Sequence, residues 1–330
     1  MTYLKAAGGM LKCGIFNKIT LKQRIDIAKR QERYNFHLVV IQVLMYSIRK
    51  KQPFYSAFLL SLFAVILFIY NAVDAQARGG PRLKSRVALI VDQGSGEIIY
   101  EKNASDIAPI ASVTKLMTAM VIIDSGVPLL ESITIAKADV DRYKGSRSKL
   151  DVGTTLLRAE VLKLALMASE NRASAALARV FPGGKTAFVI AMNSKAKSLG
   201  MNDTTFVDST GLRPGNVSTG HDLIKLVEAA LNYPLIRQYT TTSSFQLRAR
   251  KGKRPVRLDY VNSNRLARSS RWDIGLSKTG YISESGRCLV MQTTLLDKSV
   301  IMVLLDSWGK LTALGDAGRV RRWMERQNKK

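Results

Sequence analysis

"IASVTKLMTAMVIID", Ile110 to Asp124, decides how this chain reads. From Val113 onward it is a helix with almost no polar face: Val113, Leu116, Met117, Met120, Val121 and Ile123 wrap around it. Yet Lys115 stands in its first turn, three residues after Ser112. Lysine is almost never fully buried without a partner. Either its stem bends out to water or pairs with an acid, or the ammonium is placed there for chemistry.

Outward from this helix the chain is organised in three parts. Upstream, "RVALIVD", "QGSG" and "EIIYEKN" read as a β-hairpin from Arg86 to Asn103, with a Gly-rich turn between strands bearing Val, Ile and Tyr. Downstream come helical patterns. Arg158 to Val180 reads as two apolar runs broken at Ser169, Glu170 and Asn171. A further helix starts after Pro182 and stops near Gly200, and another starts at Ser218. The last part turns β again in "IGLSKTGYI", "RCLVMQTTLL" and "SVIMVLLDS", and a basic helix with Val320, Trp323 and Met324 on one stripe closes the chain. The two β ends must meet to bury their faces. The expected class is α+β: one antiparallel sheet formed by both chain ends, with an inserted helical region.

Not all 330 residues belong to that fold. Phe54 to Tyr70 is a 17-residue apolar stretch without charge, preceded by Arg49, Lys50 and Lys51 and followed by the small residues of "AVDAQA" ending at Ala77. This is the layout of a secretory signal peptide. An uncleaved membrane anchor fits the same residues at the short end of a spanning length. The expected division is an extension over 1–44, mis-assigned or cytoplasmic, a leader or membrane anchor over 45–77, and the folded domain over 78–330. Export would place that domain in the periplasm. Cys13 precedes the leader and Cys288 follows it, so the exported chain carries one thiol and no internal disulfide.

Residues 78–330 hold 40 Lys and Arg against 22 Asp and Glu, a net of +18. Such a domain is drawn to anionic envelope polymers or membrane surfaces. The charges are spread along the chain with no nucleic-acid-binding module, so no nucleic-acid partner is expected. Several chemistries thin out. After the leader only His221 remains as a histidine, just before a helical run, where it reads as a surface or capping residue. No His or Cys pair has zinc-ligand spacing. No phosphate loop is present, and "GGKTA" at 183–187 only resembles the end of one.

Serine with lysine remains. Ser-x-x-Lys is weak alone and recurs at Ser47/Lys50, Ser146/Lys149, Ser194/Lys197 and Ser307/Lys310. Only the copy at Ser112 opens a helix apolar enough to be buried. Residues at i and i+3 share a helix face, so the hydroxyl and the amine can meet. Desolvation and a nearby cation both disfavour an ammonium, and a neutral lysine can take a proton from serine. Two further clusters follow in order: Ser169-Glu170-Asn171 in the break between helices, and Lys278-Thr279-Gly280 on an expected strand. Separately, a helix cap and a polar strand face would explain them.

Together the three clusters resemble the active-site set of the penicillin-binding proteins and serine β-lactamases. "ASVTKLMTAMV", "LALMASENRASAALAR", "MNSKAKSLGMNDTTFVDSTGL" and "STGHDLIKLVEAA" are similar to the low-molecular-mass D-alanyl-D-alanine peptidases, endopeptidases above all, across about Arg86 to Arg326. The resemblance implies a β-lactamase/transpeptidase-like fold and an enzyme without metal or cofactor. Ser112 would be the nucleophile, Lys115 its base, and Ser169 the proton relay to the leaving amine. Asn171 would hold the substrate amide and Lys115. Lys278 would keep Lys115 electron-poor and attract a substrate carboxylate, to which Thr279 would donate. Gly280 would let substrate lie along the strand, and the Ser112 and Tyr281 N–H groups would form the oxyanion hole. Cross-linked peptidoglycan peptides would be the substrate and β-lactams covalent inhibitors. One departure stands out: Ser209 occupies the place where "DPTGL" is expected to carry proline, which would loosen the site's edge. A carboxypeptidase, a β-lactamase with a deacylating Glu, and a non-catalytic wall-binding protein are the competing readings.

Overall fold

The computed structural model describes residues 80–329. The expectations for 1–44 and 45–77 lie outside the described residues. The chain enters on β1 (Ser85–Asp92) and β2 (Ile98–Lys102), the expected hairpin. After β3 (Ala108–Pro109), a 3-10 turn at Ala111–Thr114 runs on as α1 (Lys115–Asp124). Every residue of α1 from Lys115 to Ile122 is buried, as a helix apolar on all sides requires.

β4 (Ser132–Thr134) and β5 (Thr154–Leu157) lead to α2 (Arg158–Met167) and α3 (Asn171–Arg179). Then come α4 (Gly184–Ser198), β6 (Val217–Ser218), α5 (Gly220–Leu231) and α6 (Pro234–Thr241). Thr219 caps α5 by accepting from the Asp222 N–H. The chain finishes with β7 (Ser244–Lys251), β8 (Arg254–Val261), β9 (Asp273–Ile282), β10 (Gly286–Leu295), β11 (Lys298–Ser307) and α7 (Thr312–Asn328).

The two chain ends meet as expected, in an antiparallel sheet of order β2-β1-β11-β10-β9. β1 pairs β11 from Ser85↔Ser307 to Asp92↔Val300. Both faces are buried, which is why these strands read as continuous apolar runs. Val87, Leu89, Ile301, Val303 and Leu305 face the helical region. Ala88, Ile90, Val300, Met302 and Leu304 face α7 through Ala313, Ala317, Val320 and Met324. Full burial of each larger aliphatic side chain contributes about 1.5–3 kcal/mol. Asp316 fastens α7 to β1 by accepting from the Ser85 N–H (2.7 Å) and the Ser85 hydroxyl (2.6 Å).

The expectation of one sheet falls short. A second sheet of order β4-β5-β7-β8 stands beside the helices. Its β7–β8 hairpin escaped the sequence reading because arginines occupy its outward positions. β9 lies at an edge of the large sheet, next to the helical region. That edge is where the candidate residues converge.

Candidate active site

The turn before α1 carries Ser112. Ala111 takes a left-handed conformation (φ 46°), rarely adopted by residues with a Cβ. The Thr114 hydroxyl donates to the Ala111 carbonyl at 2.7 Å, and the Ile110 N–H to the Asn216 carbonyl at 3.0 Å. Two glycines clamp this turn. A Cβ on Gly211 (φ +79°) would lie 1.8 Å from the Ala111 oxygen, and one on Gly280 would lie 2.9 Å from the Ser112 nitrogen. Gly280 is therefore required first by the nucleophile's turn.

Lys115 is wholly buried, so its stem does not run to water. Its Nζ lies 2.7 Å from Ser112 Oγ, 2.8 Å from Asn171 Oδ1 and 2.6 Å from the Thr210 carbonyl. No acid among the described residues pairs with it. Asn171 Oδ1 and the Thr210 carbonyl can only accept, so they use two N–H bonds of the amine. In the neutral form the remaining position is a lone pair directed at the Ser112 hydroxyl. Burial lowers the Lys115 pKa from 10.5 to about 7, against the opposing pull of Asp208 and Glu170.

Ser169-Glu170-Asn171 does two jobs. Glu170 caps α3, its carboxylate accepting from the Arg172 N–H at 3.3 Å. Ser169 is left-handed (φ 58°), a conformation held where the surroundings over-determine it. Asn171 turns its amide between Lys115 and Ser146, donating to Ser146 Oγ at 3.0 Å. From β9, buried Lys278 donates to Ser169 Oγ and to the Thr279 carbonyl, both at 2.8 Å. Burial, then the Lys115 charge, holds the Lys278 pKa well below 10.5. Thr279 Oγ1 donates to Ser263 Oγ at 2.8 Å. Tyr281 is half exposed, with the Arg287 guanidinium 3.9 Å from its ring centre.

Ser112, Ser169, Asn171, Thr279, Gly280 and Tyr281 line one groove of about 280 Å³. A second cavity of about 410 Å³ adjoins it and shares Asn171. Lys144 and Glu284 pair at 2.5 Å, and Lys144 and Ser283 pull the Glu284 carboxyl down to about 2. All eight residues singled out from the sequence are thus brought together. Of the other Ser-x-x-Lys copies, Ser47/Lys50 lies outside the described residues; Ser146 reaches the site as a partner of Asn171, and Lys310 lines the same groove. His221 sits half exposed beside Glu101 at 3.2 Å, away from the groove.

Sequence reasoning set the loop at 208–212 on the site's edge but missed that its Thr210 carbonyl holds Lys115. Asp208 organises the loop, accepting from the N–H groups of Thr210 (2.6 Å), Gly211 (2.7 Å) and Arg213 (3.0 Å). Ser209, at the position expected to carry proline, is held on both its side chain and its carbonyl. It is buried, its hydroxyl donates to the Ser174 carbonyl at 3.0 Å, and its carbonyl accepts from Thr118 (2.7 Å) and Ser174 (2.6 Å).

A family model described as D-alanyl-D-alanine carboxypeptidase, peptidase S11, matches residues 73–309. The chain belongs to this family. A D-alanyl-D-alanine endopeptidase of Pseudomonas aeruginosa is 44% identical over 275 residues, 81% of this chain and 88% of that protein. One from Escherichia coli is 42% identical over 82% of this chain and 88% of its own length. The crystal structure of a Streptomyces DD-transpeptidase superposes with a TM-score of 0.69 at 27% identity, covering 74% of this chain and 97% of that one. A penicillin-binding protein of Listeria monocytogenes in an ampicillin-bound form gives a TM-score of 0.63 at 26% identity, covering 74% and 98%. This S11 chain is a serine-type D-alanyl-D-alanine peptidase with the β-lactamase/transpeptidase-like fold, and its relatives favour the endopeptidase side of the family.

Proposed function

We propose that this S11 peptidase is an exported, periplasmic endopeptidase that opens peptidoglycan cross-links through a Ser112 acyl-enzyme and so serves cell-wall remodelling. The contact of Lys115 Nζ with Ser112 Oγ at 2.7 Å carries the reading. Ser112 Oγ attacks the D-Ala carbonyl carbon as its proton passes to Lys115 Nζ. The oxyanion lies between the Ser112 and Tyr281 N–H groups, each such donor being worth roughly 3 kcal/mol in other enzymes. The C–N bond breaks, and the leaving amine takes a proton relayed by Ser169. Water then cleaves the ester, giving a carboxylate and restoring the Ser112 hydroxyl. Lys278 and Thr279 hold a substrate carboxylate, and Asn171 the acyl-side amide. The free side of edge strand β9 suits an extended peptide added as another strand.

Penicillins enter the same pocket and acylate Ser112. Release of the acyl group is slow in this account. Glu170 is engaged as a helix cap and Asp208 in its own loop, so neither is free as a deacylating base. Rapid penicillin hydrolysis would favour the β-lactamase reading instead. The deciding experiment compares wild type with Ser112→Ala. The variant loses covalent labelling by fluorescent penicillin and cleavage of cross-linked muropeptides, followed by mass analysis, while retaining binding to sacculi. Labelling that persists in the variant removes Ser112 from the mechanism. D-Ala release without dimer cleavage by the wild type makes it a carboxypeptidase.

A further inference from the structure

The β7–β8 ribbon forms one margin of the smaller sheet. Leu247, Ala249 and Tyr260 turn inward and are buried. The alternate positions face solvent, and the register sets Arg248 directly opposite Arg257. Residues directly opposite share a face, so these two arginines are cross-strand neighbours. Arg250 follows on that face, and Lys253 and Arg254 lie in and beside the turn; all five are exposed. None of the five makes an ion pair or a side-chain hydrogen bond among the described residues. The one acid of the two strands, Asp259, is already engaged by Gln246 Nε2 at 2.8 Å.

Protection of a sheet edge explains cations on β8, the outer strand. It does not explain Arg250, which is paired on both sides, with Thr155 of β5 and with Pro255 of β8. Like charges placed opposite one another destabilise the folded chain. An anionic partner turns that arrangement into an attraction. The ribbon is also continuous with the groove: β8 ends at Val261, and Ser263, two residues on, accepts from Thr279 Oγ1. From there the 8 residues of β8 run for about 26 Å. The solvent face from Arg248 to Arg257 carries no aromatic or long aliphatic side chain of the kind that inserts into a bilayer.

We propose that the outer face of the β7–β8 ribbon is a second binding surface for the wall polymer, gripping carboxylates of peptide stems beyond the one being cut. The proposal rests on the reading of cross-linked peptidoglycan as substrate. A second contact on the same polymer raises avidity without touching the chemistry.

The test is the variant Arg248→Gln/Arg250→Gln/Arg257→Gln. Sedimentation with purified sacculi at low salt is expected to show roughly tenfold or more weaker retention, from the lost second contact. Penicillin labelling and cleavage of a soluble cross-linked muropeptide dimer stay at the wild-type rate. The melting temperature holds or rises, because the Arg248–Arg257 repulsion is gone. Retention on sacculi equal to wild type overturns the proposal. So does loss of binding to phosphatidylglycerol-containing vesicles with sacculus binding intact, which assigns the surface to a membrane. Wild-type protein that fails to cut the soluble dimer overturns the substrate reading instead, a result distinct from either.

Discussion

Replacing Lys115 by methionine removes an amine that the fold holds near neutrality, and the consequence is readable in stability as well as activity. Burial takes the group from 10.5 to about 7. That drop of roughly 3.5 units is about 5 kcal/mol against the charged form. The folded-state value lies below the unfolded one. Between the two, the unfolded chain binds the extra proton, so stability rises with pH. The disadvantage is full below about 7 and gone above 10.5. From pH 6 to pH 9 it shrinks by about 3 kcal/mol, equivalent to a Tm change of roughly 6–12 °C. The methionine variant lacks this gain, and relief of Lys278 from a neighbouring charge flattens its profile further. The variant also orphans Asn171 Oδ1, at about 1–3 kcal/mol, and leaves the Thr210 carbonyl only the Ser112 hydroxyl at 3.4 Å. Its absolute stability therefore reflects opposing terms, whereas the pH slope isolates one. Urea unfolding of both proteins at pH 6, 7, 8 and 9, followed by circular dichroism, measures it. Wild type gains about 3 kcal/mol relative to the variant across that range. Parallel profiles would refute the reasoning, because Lys115 would then keep an ordinary proton affinity.

Gly280→Ala puts a Cβ 2.9 Å from both Ala111 Cβ and Ser112 N. We expect a loss of about 1–3 kcal/mol in stability with a slower penicillin acylation rate, and an unchanged rate would show that the nucleophile's turn has slack. Glu170→Gln keeps an oxygen to cap α3 but removes a charge that raises the Lys115 pKa. The midpoint of acylation against pH then moves lower, and an upward shift contradicts the electrostatic account. Burial pushes the Cys288 thiol up to about 11. Native protein therefore reacts slowly with a disulfide reagent and denatured protein quickly; fast native reaction would show that the thiol opens to the groove.

The parts of the site legible in the sequence are those whose signal is local. Ser112 and Lys115 share one helical turn, Ser169 and Asn171 mark a break between two apolar runs, and Lys278 sits in a strand of evident β composition. The sheet formed by both chain ends followed from runs too apolar to leave exposed. What escaped has no local signature. The third partner of Lys115 is a backbone carbonyl at Thr210, which any residue type could supply. Ser146 and Ser263 reach Asn171 and Thr279 from loops distant in sequence. Ser209 replaces the fixed backbone of a proline with a hydroxyl bond to the Ser174 carbonyl, an exchange visible only once the loop is packed on α3. The β7–β8 ribbon alternates correctly for strands, but with arginine at the outward positions it resembles a basic loop.

The most direct measurement is an NMR titration of isotope-labelled lysine side chains, with the Lys115 resonance assigned by its absence in Lys115→Met. The account predicts one buried lysine signal that titrates near 7 in the resting enzyme. A Lys115 signal still protonated at pH 9 would contradict it, and the serine would need another base.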